Sequence, residues 1–334
     1  MQLQKYYIFF KLQTIDCKNH SKLSFFYMRR ILLLFILLFL CERRCITCVF
    51  FLNFVRMKLI ADSGSTKTDW ALVDDCNHST LLKTQGLNPF HQSEEEMFRV
   101  FHDELLPQLC GNISEVFYYG SGVRDDQKAK MECLLRKVVP GLETIEVNGD
   151  LLGAARALCG RNEGIACILG TGANSCLFDG QRIIRNTPPL GYILGDEGSG
   201  AVLGIRFVNA LYKGILSDTI RQDFERSTGL SLSAIIERVY RQPLANRFLA
   251  SLSVHIHRYL DDSKVRVMVT DHFRQFFIRN IAPYLRSDLP VSAVGSIAFY
   301  YQEQLQDAAK QEGYALGKIE RSPLHALIEY HRSV

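Results

Sequence analysis

Two short glycine turns carry hydroxyl, amide and acidic side chains at spacings suited to holding phosphate. The first spans residues 62–69 (DSGSTKTD) and the second residues 170–174 (GTGAN). Glycine lets the backbone approach phosphate oxygens closely, so that backbone N–H groups can donate to them. Asp62 is suited to a hydrated Mg²⁺ and Thr66 to a phosphate oxygen. Either turn alone could be a tight hairpin whose polar residues bond their own backbone, whereas the pair favours a nucleotide phosphate site.

A third glycine-rich stretch, residues 191–200 (GYILGDEGSG), stands immediately before an apolar helical pattern. Its glycines and acids predict a tight loop at the N-terminus of that helix. Asp196 in this loop could accept hydrogen bonds from sugar hydroxyls. The alternative is a helix cap with solvated acids, which the same spacing satisfies.

Asp150 follows a strand pattern at residues 144–147 and precedes an apolar helical run at 151–158. A carboxylate at such a junction can act both as helix cap and as general base. Phosphoryl transfer to an alcohol needs a base near the hydroxyl, a metal on the phosphates and donors for the transferred charge. Asp150 is therefore the candidate base, with a purely capping role as the alternative.

Strand patterns flank both turns, at residues 58–61 and 70–73 for the first and at 165–169 and 175–178 for the second. A Walker P-loop and a Rossmann turn each lead from a strand into a helix, so both nucleotide-binding motifs are disfavoured. The recurrence of strand, turn and strand instead predicts two related halves.

Strands and helices alternate along the chain, which predicts an α/β fold. Helices are predicted at residues 93–109, 125–139, 201–213, 232–240 and 271–284, and further strands at 116–119, 144–147 and 290–294. No proline-rich or low-complexity linker divides the halves, so we expect two lobes packed around a cleft.

The charge distribution separates the first 56 residues from the rest of the chain. Of 334 residues with a formal net charge of +4, residues 1–56 hold nine basic and two acidic side chains, and residues 57–334 hold 30 basic and 33 acidic ones. The basic excess belongs to this leader, so no nucleic-acid surface is expected on the folded body.

The leader contains an apolar run at residues 31–41, which is shorter than the roughly 20 residues of a spanning helix. A signal peptide, a tilted or re-entrant anchor and translation from an over-early start codon are the three interpretations. The third is favoured, because no small-residue cleavage site follows the run and Met57 directly precedes a strand pattern. It predicts a cytoplasmic protein with no membrane segment in residues 57–334.

With these motifs in place, residues 57–334 resemble the N-acetylglucosamine kinase-like members of the BadF/BadG/BcrA/BcrD ATPase family, within the sugar kinase, Hsp70 and actin superfamily. The resemblance rests on the order of the first turn, the GTG turn and the GYILGDEGSG stretch. It implies two RNase H-like (actin-like ATPase) lobes, residues 57–160 and 161–334, with a nucleotide and sugar cleft between them. The last helix is expected to pack back on the first lobe.

The resemblance also implies a role for individual residues, with Mg²⁺ held at Asp62 and Asp150 as catalytic base. The residues implied to bind ATP are Ser63, Gly64, Ser65, Thr66, Lys67, Gly170, Thr171, Gly172, Gly295 and Ser296. Those implied to bind the sugar are Asn88, Asp150, Ala173, Asn174, Gly191 and Asp196. Ala173 stands where many relatives have Ser, so a side-chain contact is lost there. Residues 188–190 (PPL) lack the Trp of animal relatives, which leaves the identity of the N-acyl sugar open.

The resemblance implies an ATP-dependent kinase that phosphorylates N-acetylglucosamine or a related N-acyl amino sugar such as N-acetylmuramic acid. One alternative is an ATPase that drives a partner protein, as in the activators of 2-hydroxyacyl-CoA dehydratases, although their paired-cysteine iron–sulfur motif is missing. A sugar-binding sensor without catalysis is the other, although it would be expected to lack the base or the phosphate turns. The sequence leaves open whether the protein forms a homodimer.

Overall fold

A computed structural model describes residues 56–64, 66–76, 78–89 and 92–332. Met57–Leu109 and Ile113–Val334 cluster as one compact unit, and the fold given below is that of this unit. The predicted leader, apart from Arg56, and the predicted ATP-binding residue Ser65 lie outside the described residues.

Two five-stranded sheets with the same strand order form the framework. The first sheet has the order β3-β2-β1-β4-β5 and the second β10-β9-β6-β7-β8. The strands are β1 (Arg56–Ser63), β2 (Lys67–Asp74), β3 (Ser79–Gln85), β4 (Asn112–Gly120), β5 (Thr144–Gly149), β6 (Glu163–Leu169), β7 (Ala173–Asp179), β8 (Ile183–Thr187), β9 (Val291–Val294) and β10 (Leu316–Glu320). In each sheet the first three strands form an antiparallel meander and the last two run parallel. The predicted pair of related halves is therefore present.

The central strands are buried on both faces, which explains their continuous apolar runs. In β2 every residue between the two ends is buried. Trp70 lies on one face with Phe101 and Tyr118, at ring-centre distances of 6.1 and 5.9 Å. Ala71 lies in a separate cluster on the other face, with Ile60. Helices must therefore cover both sides of the first sheet.

The helices confirm most of the sequence-based assignments. They are α1 (Glu94–Arg99), α2 (Asp125–Val138), α3 (Asp150–Cys159), α4 (Gly191–Leu194), α5 (Gly200–Tyr212), α6 (Asp218–Thr228), α7 (Leu232–Tyr240), α8 (Ala245–Ser251), α9 (Ser253–His257), α10 (Ser263–Phe276), α11 (Ser296–Tyr300), α12 (Gln302–Gln311) and α13 (Leu324–Arg332). Both α1 and α10 continue as π-helical and 3₁₀ turns, to Gln108 and Tyr284.

The helix predicted to start at residue 271 begins eight residues earlier, at Ser263. Its N-cap is Asp262, whose carboxylate accepts from the backbone N–H groups of Lys264 and Val265 at 2.9 and 3.2 Å. Val265 and Val269 are fully buried and extend the apolar face of the helix toward its start. The N-cap Asp262 and these two valines are the sequence signals that indicate a helix start at Ser263.

The last helix, α13, packs on the first sheet although it follows a strand of the second. Leu324, Leu327 and Ile328 are buried in one cluster with Ile60 and Val73 of the first sheet. Within the described residues, no helix is long and apolar enough to cross a membrane.

Candidate active site

Asp62 lies in a strand and not, as the sequence suggested, in the turn that follows it. Strand β1 continues to Ser63, and Asp62 faces Asp69 of β2 across the hairpin. The N–H of Gly64 donates to the Lys67 carbonyl at 3.0 Å and closes the turn. Extending β1 and β2 toward the turn adds hydrogen bonds between the two strands. The polar residues at positions 62 and 63 therefore belong to the strand and not to the turn.

Asp62 and Asp150 are two partly buried carboxylates whose pKa values are both raised. The pKa of Asp62 is raised to about 7, chiefly by burial and then by the charges of Asp150 and Asp69, against the lowering effects of Lys67 and a hydrogen bond from Ser322. Burial also raises the pKa of Asp150. Acids placed so closely favour either a bound proton or a bound cation.

Asp150 occupies the first position of α3, directly after β5. The N-cap is Gly149 and makes no side-chain cap, so the predicted capping role of Asp150 is corrected. The Asp150 carboxylate instead accepts from the backbone N–H of Leu151, an interaction that lowers its pKa and opposes the larger effect of burial. At this helix start the carboxylate is held by a backbone N–H of the first turn.

The second glycine turn is joined to the start of α5. The carbonyl of Gly170 accepts from the Gly200 N–H at 2.8 Å, and that of Thr171 accepts from the Ala201 N–H at 3.2 Å. These bonds satisfy two N–H groups of the first helical turn that would otherwise have no partner. The turn is therefore fixed, and the side chain of Thr171 is exposed beside it.

Asp196 lies against this second turn. A Cβ at Gly172 would stand 3.0 Å from Asp196 Oδ2, which shows how closely the two approach. Asp196 adopts φ of +57°, and its Oδ1 accepts from the Gly191 N–H at 3.1 Å. Burial raises its pKa, while the backbone N–H groups of Gly191 and Ala173 lower it. The predicted residues Gly191, Ala173 and Asp196 thus meet at one point.

The neighbouring acid, Glu197, is not a solvated cap. Its carboxylate pairs with Arg279 at 3.3 Å and accepts from Asn280 Nδ2 at 3.4 Å. The cap of α5 is Ser199, whose Oγ accepts from the Val202 N–H at 3.1 Å. The loop therefore caps the helix as expected, but through a serine.

Asn174 and Asn88 are both held by partners beside the turns. The Oδ1 of Asn174 accepts from the Ser175 N–H and from Asn186 Nδ2, both at 2.9 Å. Asn88 is buried, and a Cβ at Gly122 would stand 2.1 Å from its Oδ1. The side chain of Asn88 thus lies against the turn that follows β4.

Gly295 brings the third predicted loop next to the second turn. It has φ of +122°, and a Cβ there would stand 2.2 Å from the carbonyl oxygen of Leu169, the last residue of β6. Its N–H donates to the Glu320 carbonyl at 3.0 Å. Only glycine fits at this position, and Ser296 then begins α11.

The predicted ATP-binding residues of the first hairpin divide between buried and exposed positions. Ser63 and Thr68 are fully buried, with their hydroxyl oxygens 2.7 Å apart. Thr66 is exposed, and its carbonyl accepts from the Gly86 N–H at 3.1 Å. Lys67 pairs with Asp69. The exposed turn, with Thr66 and Lys67, is the part that can meet a ligand.

The sequence interpretation overlooked two residues at Asp62. Asp69 was assigned only to the turn, although the strands on either side indicate that two acids of one hairpin could face each other. Ser322 lies far along the chain and had no local signal, yet it lowers the pKa of Asp62. Both contribute to the pKa of the predicted metal residue, after burial and Asp150.

The donors around Asp62 fit a magnesium ion rather than a metal held wholly by protein. No group of three or more His, Cys, Asp or Glu side chains in the described part of the chain could hold a metal by itself. Mg²⁺ usually keeps several waters and binds one or two carboxylates together with substrate phosphates. Asp62, with Asp150 close enough to affect its charge, meets that requirement.

No protein-family model and no curated protein matches the chain. A solved structure of a Porphyromonas gingivalis protein, described as a candidate N-acetylglucosamine kinase, has 46% sequence identity and a TM-score of 0.79, and the match covers 83% of this chain and 99% of that one. A candidate N-acetylglucosamine kinase from Chromobacterium violaceum has 18% identity and a TM-score of 0.63, over 83% of this chain and 99% of that one.

A ROK-family transcriptional regulator, a homologue of the Escherichia coli MLC protein, has 11% identity and a TM-score of 0.52 over 84% of this chain and 79% of that one. At such identities the second and third matches show the fold alone. Together with the two sheets of equal topology, they confirm the predicted two-lobed α/β fold.

Proposed function

This chain belongs to the same family as the candidate N-acetylglucosamine kinase of P. gingivalis, and on that premise we propose that it is an ATP-dependent sugar kinase. Its substrate would be N-acetylglucosamine or a related N-acyl amino sugar. The observation that carries the proposal is a pair of partly buried acids, Asp62 in the first glycine hairpin and Asp150 at the start of α3, with the charge of Asp150 raising the pKa of Asp62. A phosphoryl transferase needs this combination of base and metal residue beside phosphate donors.

Asp150 is the proposed general base. Burial raises its pKa, and a carboxylate with a raised pKa accepts a proton more readily than an exposed one. Its place at the start of α3 fixes the carboxylate in one position. It would take the proton of the sugar hydroxyl as that oxygen attacks the terminal phosphate.

Asp62 would hold Mg²⁺, which when bound offsets the negative charge of the nucleotide phosphates. The two glycine turns would supply donors to those phosphates, with the exposed hydroxyls of Thr66 and Thr171 at their tips. Gly295 and Ser296 would border the nucleoside. The charge of the transferred group would then be met by donors that are already in place.

Asn88, Asn174 and Asp196 are the proposed sugar contacts. Within the described residues, Asn174 uses its Oδ1 twice and its Nδ2 in no hydrogen bond, so the Nδ2 can donate to a ligand. Asp196 accepts from backbone N–H groups at one side and retains lone pairs for hydroxyl donors. Amide donors and carboxylate acceptors together suit a polyol that carries an N-acyl group.

The test is ATP consumption by the full chain with Mg²⁺, measured across a panel of amino sugars and without sugar. Turnover with N-acetylglucosamine or N-acetylmuramic acid alone supports the proposal and identifies the substrate. Sugar-independent hydrolysis would instead support an ATPase that drives a partner, and ATP binding without turnover would support a sensor. The BadF/BadG/BcrA/BcrD assignment and the cytoplasmic location stay predictions.

A further inference from the structure

Asn280 contacts both chain segments that carry the proposed sugar contacts of the second lobe. One segment is the start of β7, at residues 174–175, and the other is the loop before α5, at residues 196–197. Asn280 itself lies in the π-helical turn Phe277–Ile281 that continues α10. Turns of this kind are rare and are frequent at functional sites. The backbone carbonyl of Asn280 contacts the first segment, and its side-chain amide contacts the second.

The Asn280 carbonyl is held by hydroxyl groups of two strands. It accepts from Ser175 Oγ of β7 at 3.3 Å and from Thr187 Oγ1 of β8 at 2.9 Å, which uses its two lone pairs. The Ser175 oxygen also lies 2.8 Å from the Tyr284 hydroxyl. Because the Ser175 proton is given to the carbonyl, Tyr284 is the donor there, and its own oxygen accepts from the Thr187 N–H at 3.0 Å. Asn280 is thus fixed to the strand that carries Asn174.

The side chain of Asn280 reaches the loop before α5. Its Nδ2 donates to Glu197 Oε2 at 3.4 Å, and Oε1 of the same carboxylate pairs with Arg279 at 3.3 Å. The Glu197 side chain is only 19% exposed, whereas that of Arg279 is 62% exposed. Exposed ion pairs contribute little to stability, so the half-buried amide of Asn280 is the more effective of the two partners.

The residue before Glu197 has a backbone conformation that needs such support. Asp196 adopts φ of +57°, in the left-handed region, which residues other than glycine seldom occupy. A conformation of this kind persists where neighbouring contacts hold it. The Gly191 N–H holds Asp196 through its Oδ1 at 3.1 Å, and Asn280 holds the next residue, Glu197. Asp196 is therefore fixed from both sides.

We propose that Asn280 is a positioning residue, which sets the placement of Asp196 relative to Asn174 and thereby the fit of the sugar. Its carbonyl is bound to the strand of Asn174 and its amide to the residue after Asp196. Loss of the amide contact frees the loop but leaves the carbonyl contacts, the first hairpin and Asp150 in place. The inference rests on the proposed function, because that function assigns Asn174 and Asp196 to the sugar.

The experiment exchanges donor and acceptor between Asn280 and Glu197 in the full chain. Asn280→Asp keeps the shape of the side chain but sets a second carboxylate against Glu197. Glu197→Gln keeps an acceptor for the Asn280 amide. In the double variant the introduced amide can donate to the introduced carboxylate, so the contact returns with its direction reversed. Calorimetry without nucleotide measures the Kd of N-acetylglucosamine and of N-acetylmuramic acid, and steady-state kinetics measures kcat and the KM for ATP.

We expect the sugar Kd to rise about 10-fold in Asn280→Asp, which is the effect of losing one hydrogen bond to a charged group. It should rise by about 3-fold or less in Glu197→Gln, and the double variant should return to within about 3-fold of the wild type. The KM for ATP should stay unchanged. The kcat at saturating sugar should change little, because Asn280 does not contact the reacting atoms.

Asn209→Asp is the matched control, because it makes the same change of charge at an exposed position of α5. A sugar Kd within about twofold of the wild type in Asn280→Asp would overturn the inference. So would a double variant that binds sugar as weakly as Asn280→Asp, because it would indicate damage to the π-helical turn and not loss of this contact. A wild-type protein that binds neither sugar would overturn the proposed function, and the inference with it.

Discussion

The two glycine hairpins occupy the same place in sheets of the same strand order, yet they carry opposite chemistry. In the first, Asp62 faces Asp69 one step before the turn. In the second, Ile168 faces Asn174 at the equivalent step. The first hairpin therefore holds two acids where the second holds an apolar side chain and an amide. The two hairpins thus share a strand topology but differ in the charge of their side chains.

The difference shows how one duplicated scaffold can divide a reaction. Burial, followed by the charges of Asp150 and of Asp69 in the same hairpin, raises the pKa of Asp62, whereas the second hairpin offers backbone and amide donors without a charge of its own. Its acid, Asp196, comes from another loop and is partnered by backbone N–H groups. This division predicts that substitutions in the first lobe affect the chemical step and metal binding, and that those in the second affect ligand binding.

The largest expected effect is that of Asp150→Asn in the first lobe. Loss of a general base lowers turnover by about 10²- to 10⁴-fold, while the KM for ATP should change little, because Asp150 is assigned to the sugar proton. Steady-state kinetics measures both quantities. Asp261→Asn, at an exposed carboxylate, is the control. A kcat within about twofold of the wild type would remove Asp150 from the role of base.

Asp62→Asn makes the first hairpin resemble the second. The half-saturating Mg²⁺ concentration should rise by about 10- to 100-fold, since a neutral amide binds the ion poorly. Activity should recover in part at high Mg²⁺, which distinguishes a metal residue from a base. An unchanged Mg²⁺ dependence would mean that both hairpins bind only phosphate and that the metal is held elsewhere.

The same substitution should stabilise the ligand-free protein. A carboxyl group whose pKa rises on folding, here from 3.8 to about 7, binds its proton more tightly when folded. The resulting stability is full below about pH 4 and is lost as the pH rises through about 7. In EDTA, Asp62→Asn should therefore raise the free energy of unfolding by about 1–3 kcal/mol at pH ~8 and by little at pH ~4.

Urea unfolding of both proteins at the two pH values measures this difference, with Asp261→Asn as the control. A gain of the same size at low and high pH would show that the charge of Asp62 is not its source. The expected pattern would show that the charged Asp62 of the first hairpin lowers the free energy of unfolding, as is common for residues that serve function.

The sequence predicted the parts of the site that short-range rules control. Glycine turns between apolar runs identify hairpins, and Asp150 between a strand and a helix was visible as a pattern. The unpredicted strands β3, β8 and β10 lie at sheet edges, where fewer residues are buried and the apolar pattern is weak. The strand patterns beside the first turn allowed Asp62 and Asp69 to face each other but did not determine the register, because a change of one residue in turn length alters it. Ser322 reaches Asp62 only through the tertiary fold.

The smallest expected effect concerns the second hairpin. Gly172→Ala places a methyl group 3.0 Å from Asp196 Oδ2, so the carboxylate must shift by a few tenths of an ångström. We expect a sugar KM about 3- to 10-fold higher with kcat nearly retained, as for a contact made equally in ground and transition states. Gly170→Ala adds the same group where no heavy atom lies within 4 Å, so it should raise the sugar KM less. If Gly172→Ala lowered kcat as strongly as Asp150→Asn, the second hairpin would share the chemistry, and the division between the lobes would not hold.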